Sequence, residues 1–72
     1  MKIYRAVLET RNFDFEAYHT DEEDAILALR EGLKKHCRQY SLNFGSFMSE
    51  FEDDINVRVH LIGGAYRDRS PL

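Results

Sequence analysis

Cysteine, proline and tryptophan are almost missing from this chain of 72 residues, which holds one cysteine, one proline and no tryptophan. A single thiol, Cys37, cannot close an internal disulfide, and no CxxC or HxxxH spacing suggests a zinc site. A domain of this size buries only about 60% of the surface that its unfolded chain exposes, so its stability margin is small. The remaining route to extra stability is oligomerisation, and a homodimer would supply it.

Long apolar runs are missing as well. The longest, from Ala25 to Leu29, has five residues, whereas a bilayer-spanning helix needs about 20. The first residues lack the apolar core and the cleavage site of a signal peptide. With the lone thiol, these absences predict a cytoplasmic protein without a membrane partner. The net charge of −3 gives no general attraction to nucleic acid or to anionic lipid.

The overall composition is typical of one globular domain, since 43% of the residues are apolar and 32% are charged. No tract has the biased composition of a disordered linker. We therefore expect a single domain over residues 1–72, with a frayed tail over residues 69–72.

Residues 3–10 and 13–18 predict two strands, because both are rich in β-branched and aromatic side chains. A tight hairpin around Arg11-Asn12 would pair Leu8 with Phe15. The apolar rows of the two strands then fall on the same side of the sheet, and a slip of one residue would separate them. These rows are Tyr4, Ala6 and Leu8 on the first strand, and Phe13, Phe15 and Ala17 on the second.

A long helix is predicted from Asp21 to about Gln39. Thr20 followed by Glu23 fits a capping box, and four carboxylates then stand at the positive end of the helix dipole. Apolar residues follow at spacings of three and four, which is typical of an amphipathic helix. This stripe consists of Ile26, Leu29, Leu33, Cys37 and Tyr40.

Residues 41–54 fit either a short helix or a loop. Asn43 and Gly45 are suited to end the long helix, and Ser46 is suited to cap a short one. The segment is too apolar for a solvated linker, so we expect a lid that closes one end of the core. Its apolar side chains include Phe47, Met48 and Phe51.

A third strand is predicted from Ile55 to Ile62, where apolar and polar residues alternate. Gly63-Gly64 suits a two-residue turn, after which residues 65–68 would return as a short edge strand. With a right-handed connection through the helix, the strand order would be 2-1-3-4. The predicted fold class is α+β, of the form ββα(α)ββ, with a small antiparallel sheet packed on one long amphipathic helix.

The outer face of this sheet is the predicted contact surface. On the proposed register an acidic protein still presents a local basic patch with one aromatic side chain, and acidic residues lie toward the hairpin end. Such a face is also compatible with an ordinary solvated surface of an antiparallel sheet. The patch consists of Arg5, Tyr18, Arg58, His60 and Arg67, with Arg69 nearby, and the acidic residues are Glu9, Asp14 and Glu16.

No catalytic site and no cofactor site is predicted. Cys37 and His36 are neighbours on a helix and point about 100° apart, so they do not form a nucleophile–base pair. Gly63-Gly64 is not a phosphate loop, because no Gly-Lys-Ser/Thr follows. A metal set is conceivable but lacks ligand spacing. That set would be His19, His36 and His60 with Asp53 and Asp54.

Six short stretches spread over most of the chain form a pattern. They are Tyr4-Arg5-Ala6, Phe13-Asp14-Phe15-Glu16-Ala17, Glu23-Asp24-Ala25, His36-Cys37-Arg38-Gln39-Tyr40, Asp53-Asp54-Ile55-Asn56-Val57 and Tyr66-Arg67-Asp68. The pattern resembles a family of short uncharacterised proteins encoded by phages, plasmids and other mobile elements. The resemblance implies a genetic context and no particular activity.

The first half has a second, partial likeness. Two strands followed by Thr20-x-x-Glu23-x-Ala25 at a helix start are similar to the beginning of HicB-type antitoxins. Those proteins usually carry a longer segment with glycine and proline between the strands, and this chain has none.

The sequence thus predicts a non-enzymatic accessory protein that binds a partner protein through the open sheet face. The alternative is a nucleic-acid-binding module, antitoxin-like or specific for single strands, that uses the arginines of the same face. Net acidity and a single outward aromatic side chain favour the protein partner.

Overall fold

The computed structural model describes residues 1–68 and 70–72, so Arg69 lies outside the described residues. A short 3-10 helix, Glu52–Asp54, stands between the second α-helix and the third strand. The elements in chain order are β1 (Lys2–Glu9), β2 (Asp14–His19), α1 (Glu22–Gln39), α2 (Phe44–Phe51), β3 (Asn56–Leu61), β4 (Tyr66–Arg67) and β5 (Ser70–Pro71).

Strands β1, β2 and β3 form an antiparallel sheet in the order β2-β1-β3, which confirms the α+β class and the predicted order of these three strands. The hairpin closes around Arg11-Asn12, and Leu8 lies opposite Phe15 as predicted. Thr10 donates its amide to the carbonyl of Phe13 at 2.8 Å, and its hydroxyl bonds the same carbonyl. The agreement of turn position with apolar pattern therefore fixes the register.

Helix α1 begins one residue later than predicted, and its cap is Asp21 rather than Thr20. The Asp21 carboxylate accepts the amide of Asp24 at 3.2 Å, and its backbone is extended. Thr20 and Asp21 each stand three residues before an amide that a capping side chain could accept, that of Glu23 or that of Asp24. A carboxylate is the stronger acceptor and is favoured by the positive end of the helix dipole, which explains why the aspartate takes the position.

The turn between α1 and α2 corrects a second prediction. Asn43 does not end α1; it caps α2 in place of Ser46, because its side chain accepts the amide of Ser46 at 2.9 Å. The end of α1 is closed by Ser41, whose φ of 55° is left-handed. The amide of Leu42 bonds the carbonyl of Cys37 at 2.8 Å, as in a Schellman motif.

The core lies between the inner face of the sheet and the two helices. Helix α2 closes one end of it, as predicted for a lid, and buries Met48. Within the predicted apolar stripe, Cys37 is 2% exposed and buried, whereas Tyr40 at the end of the stripe is 54% exposed. None of the described helices is long and apolar enough to cross a membrane. The buried side chains of the core are Ala6, Leu8, Ala25, Leu29, Leu33 and Met48.

The end of the chain does not extend the main sheet, so the prediction of a fourth strand beside β3 was wrong. Strands β4 and β5 pair with each other in a separate two-stranded sheet. Residues 65–68 cannot continue as one strand, because Asp68 has a left-handed φ of 49° and makes a turn there. A frayed tail is predicted over residues 69–72, and the structure places Ser70–Pro71 in β5.

Candidate functional site

The outer face of the sheet is the side on which no described helix packs. Ala6 and Leu8 of the central strand point into the core, so their neighbours Arg5 and Val7 point to the opposite side. The strand register places Arg5 between two neighbours: Arg58 of β3 lies opposite it on one side, and Tyr18 of β2 lies opposite it on the other. The three predicted residues Arg5, Tyr18 and Arg58 therefore stand in one row across the sheet.

Arg5 is held in place by two neighbours on β2. Its Nε and Nη2 donate to Oε2 of Glu16 at 3.0 and 2.8 Å, and Nε also lies 3.2 Å from the hydroxyl oxygen of Tyr18. The Tyr18 hydroxyl donates in turn to Glu16 at 3.2 Å. Hydrogen bonding to Glu16 raises the pKa of the Arg5 guanidinium above its ordinary value. Arg5 is thus a fixed, internally paired charge and not a free cation.

Arg58 carries the accessible positive charge of the row. Its side chain is exposed, and it has no ion-pair partner within residues 1–68 and 70–72. Because a guanidinium keeps its charge at any ordinary pH and donates in a planar fork, it suits a carboxylate or phosphate of a partner. Arg58 is therefore the residue of the row most available for binding.

A depression of about 400 Å³ lies beside this row, with Val7 at its floor. Val7 is 8% exposed although it points away from the core, because long polar side chains stand around it. The walls combine two guanidinium groups with three carboxyl groups and an amide, so the depression has mixed charge. These residues are Arg5, Glu9, Asp53, Asp54, Asn56 and Arg58.

His60 lies on the outer face as predicted, whereas Arg67 lies elsewhere. His60 is partly buried, its ring centroid is 5.0 Å from that of Tyr66, and its Nε2 has no hydrogen-bond partner among the described residues. Arg67 does not lie opposite His60; it lies opposite Ser70, because β4 pairs with β5. Arg69 is outside the described residues. The structure therefore brings His60 to the outer face and assigns Arg67 to the separate hairpin.

The acidic residues are where the hairpin register was expected to put them. Glu9 lies opposite Asp14 at the end of the β1–β2 ladder, and Glu16 lies opposite Val7. The outer face is consequently mixed in charge around Arg58, where Asp53 and Asp54 also stand, and acidic toward the hairpin. A uniformly basic surface is absent from the described part of this sheet.

An aromatic cluster at the hairpin end was missed by sequence reasoning. The His36 ring lies 4.8 Å from Phe13, 4.9 Å from Phe15 and 4.8 Å from Tyr40, measured between centroids. The spacing of four between His36 and Tyr40 is a signal that could have indicated one face of the helix. Together with Phe47 and Leu42, the cluster borders an open groove of about 490 Å³.

The thiol and the histidines do not assemble into a reactive site in the described part of the chain. Cys37 is buried in the helix stripe, while His36 beside it turns to the aromatic cluster. His19 lies 3.8 Å from the carboxylate of Asp24 and accepts the amide of Asp21 at 3.3 Å. No three His, Cys, Asp or Glu side chains among residues 1–68 and 70–72 are placed to share a metal ion.

Comparison with known proteins adds no relative to this geometry: no family model, no curated protein and no solved structure matches the chain. The resemblances to mobile-element proteins and to HicB-type antitoxins stay predictions. The site is consequently defined by its own geometry, as an uncovered sheet face on which Arg5 is held by Glu16 and Tyr18 and on which Arg58 is free to bind.

Proposed function

We propose that this chain is a non-enzymatic accessory protein that binds a partner protein through the outer face of its sheet. The single observation that carries the proposal is the row of Arg5, Tyr18 and Arg58 on a face that no described helix covers. Hydrogen bonds to Glu16 and Tyr18 hold the Arg5 side chain in one orientation, so little of its conformational entropy is lost when a partner binds. Cytoplasmic location and an origin in a mobile element belong to the same proposal, and they rest on the sequence.

The charge pattern favours a protein partner over nucleic acid. Carboxylates of Glu9, Asp53 and Asp54 line the same depression as Arg58, and Glu16 neutralises Arg5. A phosphate backbone would meet repulsion from these groups, whereas a protein can place a base against the carboxylates and an acid against Arg58.

Nucleic acid is the second candidate, and Tyr18 supports it. Its ring is 54% exposed and stands beside a guanidinium on an open sheet. Sheet proteins that bind single strands stack bases on aromatic side chains placed in this way, and each stacked base contributes about 1–3 kcal/mol. Only one such aromatic side chain is present in the described row, which makes this the weaker candidate.

The test is the charge reversal Arg58→Glu on the outer face, made alone and together with Arg67→Glu on the separate hairpin, followed by affinity capture of partners from lysate. Both side chains are exposed, so both variants should keep their fold by circular dichroism. We expect capture to weaken by well over tenfold, because a like charge then faces the partner's acidic groups. A matched control reverses two exposed bases on the solvent side of α1, Lys35→Glu with Arg38→Glu, and should capture as the wild type does.

Nuclease treatment and salt separate the two candidates. Partners that survive nuclease support the protein interaction, and loss of every partner supports nucleic acid. Binding to nucleic acid should also fall steeply between low and moderate salt, because phosphate contacts release counterions. If the double variant is folded and captures the same partners as the wild type, the outer face is a solvated surface and the proposal fails.

A further inference from the structure

Strand β3 has one edge with no partner strand in the described part of the chain, and the register identifies which backbone groups point there. The amide of Ile62 donates to the carbonyl of Met1 at 3.0 Å. Pairs spaced by two from this one, such as His60 with Ile3 and Arg58 with Arg5, therefore also exchange hydrogen bonds. The intervening residues of β3 point their amides and carbonyls to the free edge. They are Val57, Val59 and Leu61.

The backbone amide and carbonyl of Leu61 already have contacts at this edge, whereas those of Val57 and Val59 have none among residues 1–68 and 70–72. The hydroxyl of Tyr66 contacts the amide and the carbonyl of Leu61, and the amide of Gly64 also donates to that carbonyl at 3.2 Å. No hydrogen bond to the edge groups of Val57 or Val59 is formed within residues 1–68 and 70–72. Two amides and two carbonyls therefore form a row that can accept one further strand.

The inner side of this edge is apolar and uncovered. Val59 is 44% exposed and Leu61 is 50% exposed, although both point to the side where α1 packs. An added strand would bury these side chains if it placed its own apolar residues on the inner side.

The outer side of the edge carries the basic side chains Arg58 and His60, while Asp53 and Asp54 stand near its start. Arg58 and His60 alternate with the valines there, and Arg58 has no ion-pair partner among the described residues. Opposite charges facing each other across two strands contribute about 0.2–1 kcal/mol per pair, and like charges destabilise by a similar amount. A strand with carboxylates on its outer side is therefore the complementary partner.

A second copy of this chain fits the edge poorly. If two β3 strands paired through Val57 and Val59, Arg58 would directly face Arg58 of the second copy. A register centred on Val59 would need the edge groups of Leu61, which Tyr66 and Gly64 already occupy. Registers centred closer to the start of β3 would bring the second copy against the 3-10 helix Glu52–Asp54. In these registers the amide of Ile55 is also occupied, because it donates to the carbonyl of Glu52 at 3.3 Å.

We propose that the free edge of β3 is completed by an extended segment of a partner protein in which apolar side chains alternate with carboxylates. The apolar side chains pack on Val59 and Leu61, the carboxylates face Arg58 and His60, and the backbone bonds Val57 and Val59. This inference rests on the proposed function, since it specifies how the partner of the outer face is held. It belongs to the recognition mode in which a peptide adds a strand to a sheet.

The probe is a blocked synthetic peptide of alternating valine and glutamate, added to isotopically labelled protein. We expect the amides of Val57 and Val59 to shift in the NMR spectrum and to become protected from hydrogen exchange. A peptide of alternating valine and lysine should bind at least tenfold more weakly. A valine–glutamate peptide with N-methyl groups along one edge should not bind, because it cannot donate to the carbonyls of β3.

The matched protein variants change one edge group. Val59→Pro removes an amide that points to solvent while keeping the bonds of Arg58 and His60 to β1, so the sheet should persist. It should lower peptide affinity at least tenfold, and Val59→Thr, which keeps the amide, should bind nearly as well as the wild type. If Val59→Pro does not fold, the N-methylated peptide gives the same comparison on the wild-type protein.

Four results would overturn the inference. Unchanged Val57 and Val59 amides at about 1 mM peptide would mean that the edge accepts no such strand. Equal binding of the valine–lysine peptide would show that the partner strand does not need carboxylates. Protection of both amides in the free protein, with a doubled mass by light scattering, would assign the edge to a second copy. Loss of partner capture by the Arg58/Arg67 variant but not by Val59→Pro would leave the proposed function standing alone.

Discussion

At the scale of single residues, two backbone positions decide how α1 is bounded. Asp21 accepts the amide of Asp24 at the start of the helix, and Ser41 takes a left-handed φ of 55° just beyond its end. Serine is an unusual residue for the second position, where glycine avoids the steric conflict between the side chain and the backbone. Each end can therefore be tested by one substitution.

Replacing the cap should lower stability. We expect Asp21→Ala to reduce the free energy of unfolding by about 1 kcal/mol, because the Asp24 amide loses its acceptor and the helix dipole loses a carboxylate. Thr20→Ala is the matched control and should change the denaturation midpoint little, since Thr20 does not cap the helix. A larger loss of stability in Thr20→Ala than in Asp21→Ala would mean that Thr20 is the cap.

Replacing the residue after the helix should raise stability. Ser41→Gly removes the strain of a left-handed side chain, and we expect a gain of about 1 kcal/mol in chemical denaturation. Ser41→Ala keeps that strain and should give no such gain. A glycine variant no more stable than the alanine variant would contradict the left-handed conformation.

At the scale of elements, the sequence predicts β1, β2, β3 and α1 because their patterns are long enough to repeat. The pairing of Leu8 with Phe15 follows from two apolar rows and one turn. The position of β4 could not be predicted in this way. Strand β4 has two residues, too few to show an alternating pattern. It contacts β3 through the hydroxyl of Tyr66 and not through backbone pairing.

The candidate site was predictable to the same extent. Arg5, Tyr18 and Arg58 follow from strand alternation and register. Hydrogen bonding of Arg5 to Glu16 could not be predicted, because side-chain pairing depends on rotamers that alternation leaves free. The aromatic cluster around His36 was missed for a similar reason, since it joins a turn, a helix and a lid that are distant in sequence.

Helix α2 should behave as part of the core and not as a loop. Met48 is 6% exposed against the sheet and α1, so Met48→Ala should cost about 2 kcal/mol or more in the free energy of unfolding. Glu50→Ala on the exposed side of the same helix should be nearly neutral. Equal effects of the two substitutions would mean that the lid does not pack.

At the scale of the whole molecule, protection from hydrogen exchange should follow the position of each strand. Every amide from Tyr4 to Leu8 faces a neighbouring strand, since β1 is bonded on both sides. We expect these amides, with those of α1 from Ala25 to Cys37, to exchange at least tenfold more slowly than Val57 and Val59 in the free protein. Uniform protection across β3 would contradict the open edge.

The molecule has one long dimension. The structure measures 41 × 23 × 19 Å with a radius of gyration of 13.4 Å, whereas a compact domain of this length would have about 11 Å. An elongated particle diffuses more slowly than a sphere of equal mass. A monomer should therefore elute slightly earlier from a sizing column than a sphere of its mass, so its association state is better read from scattered light than from elution volume.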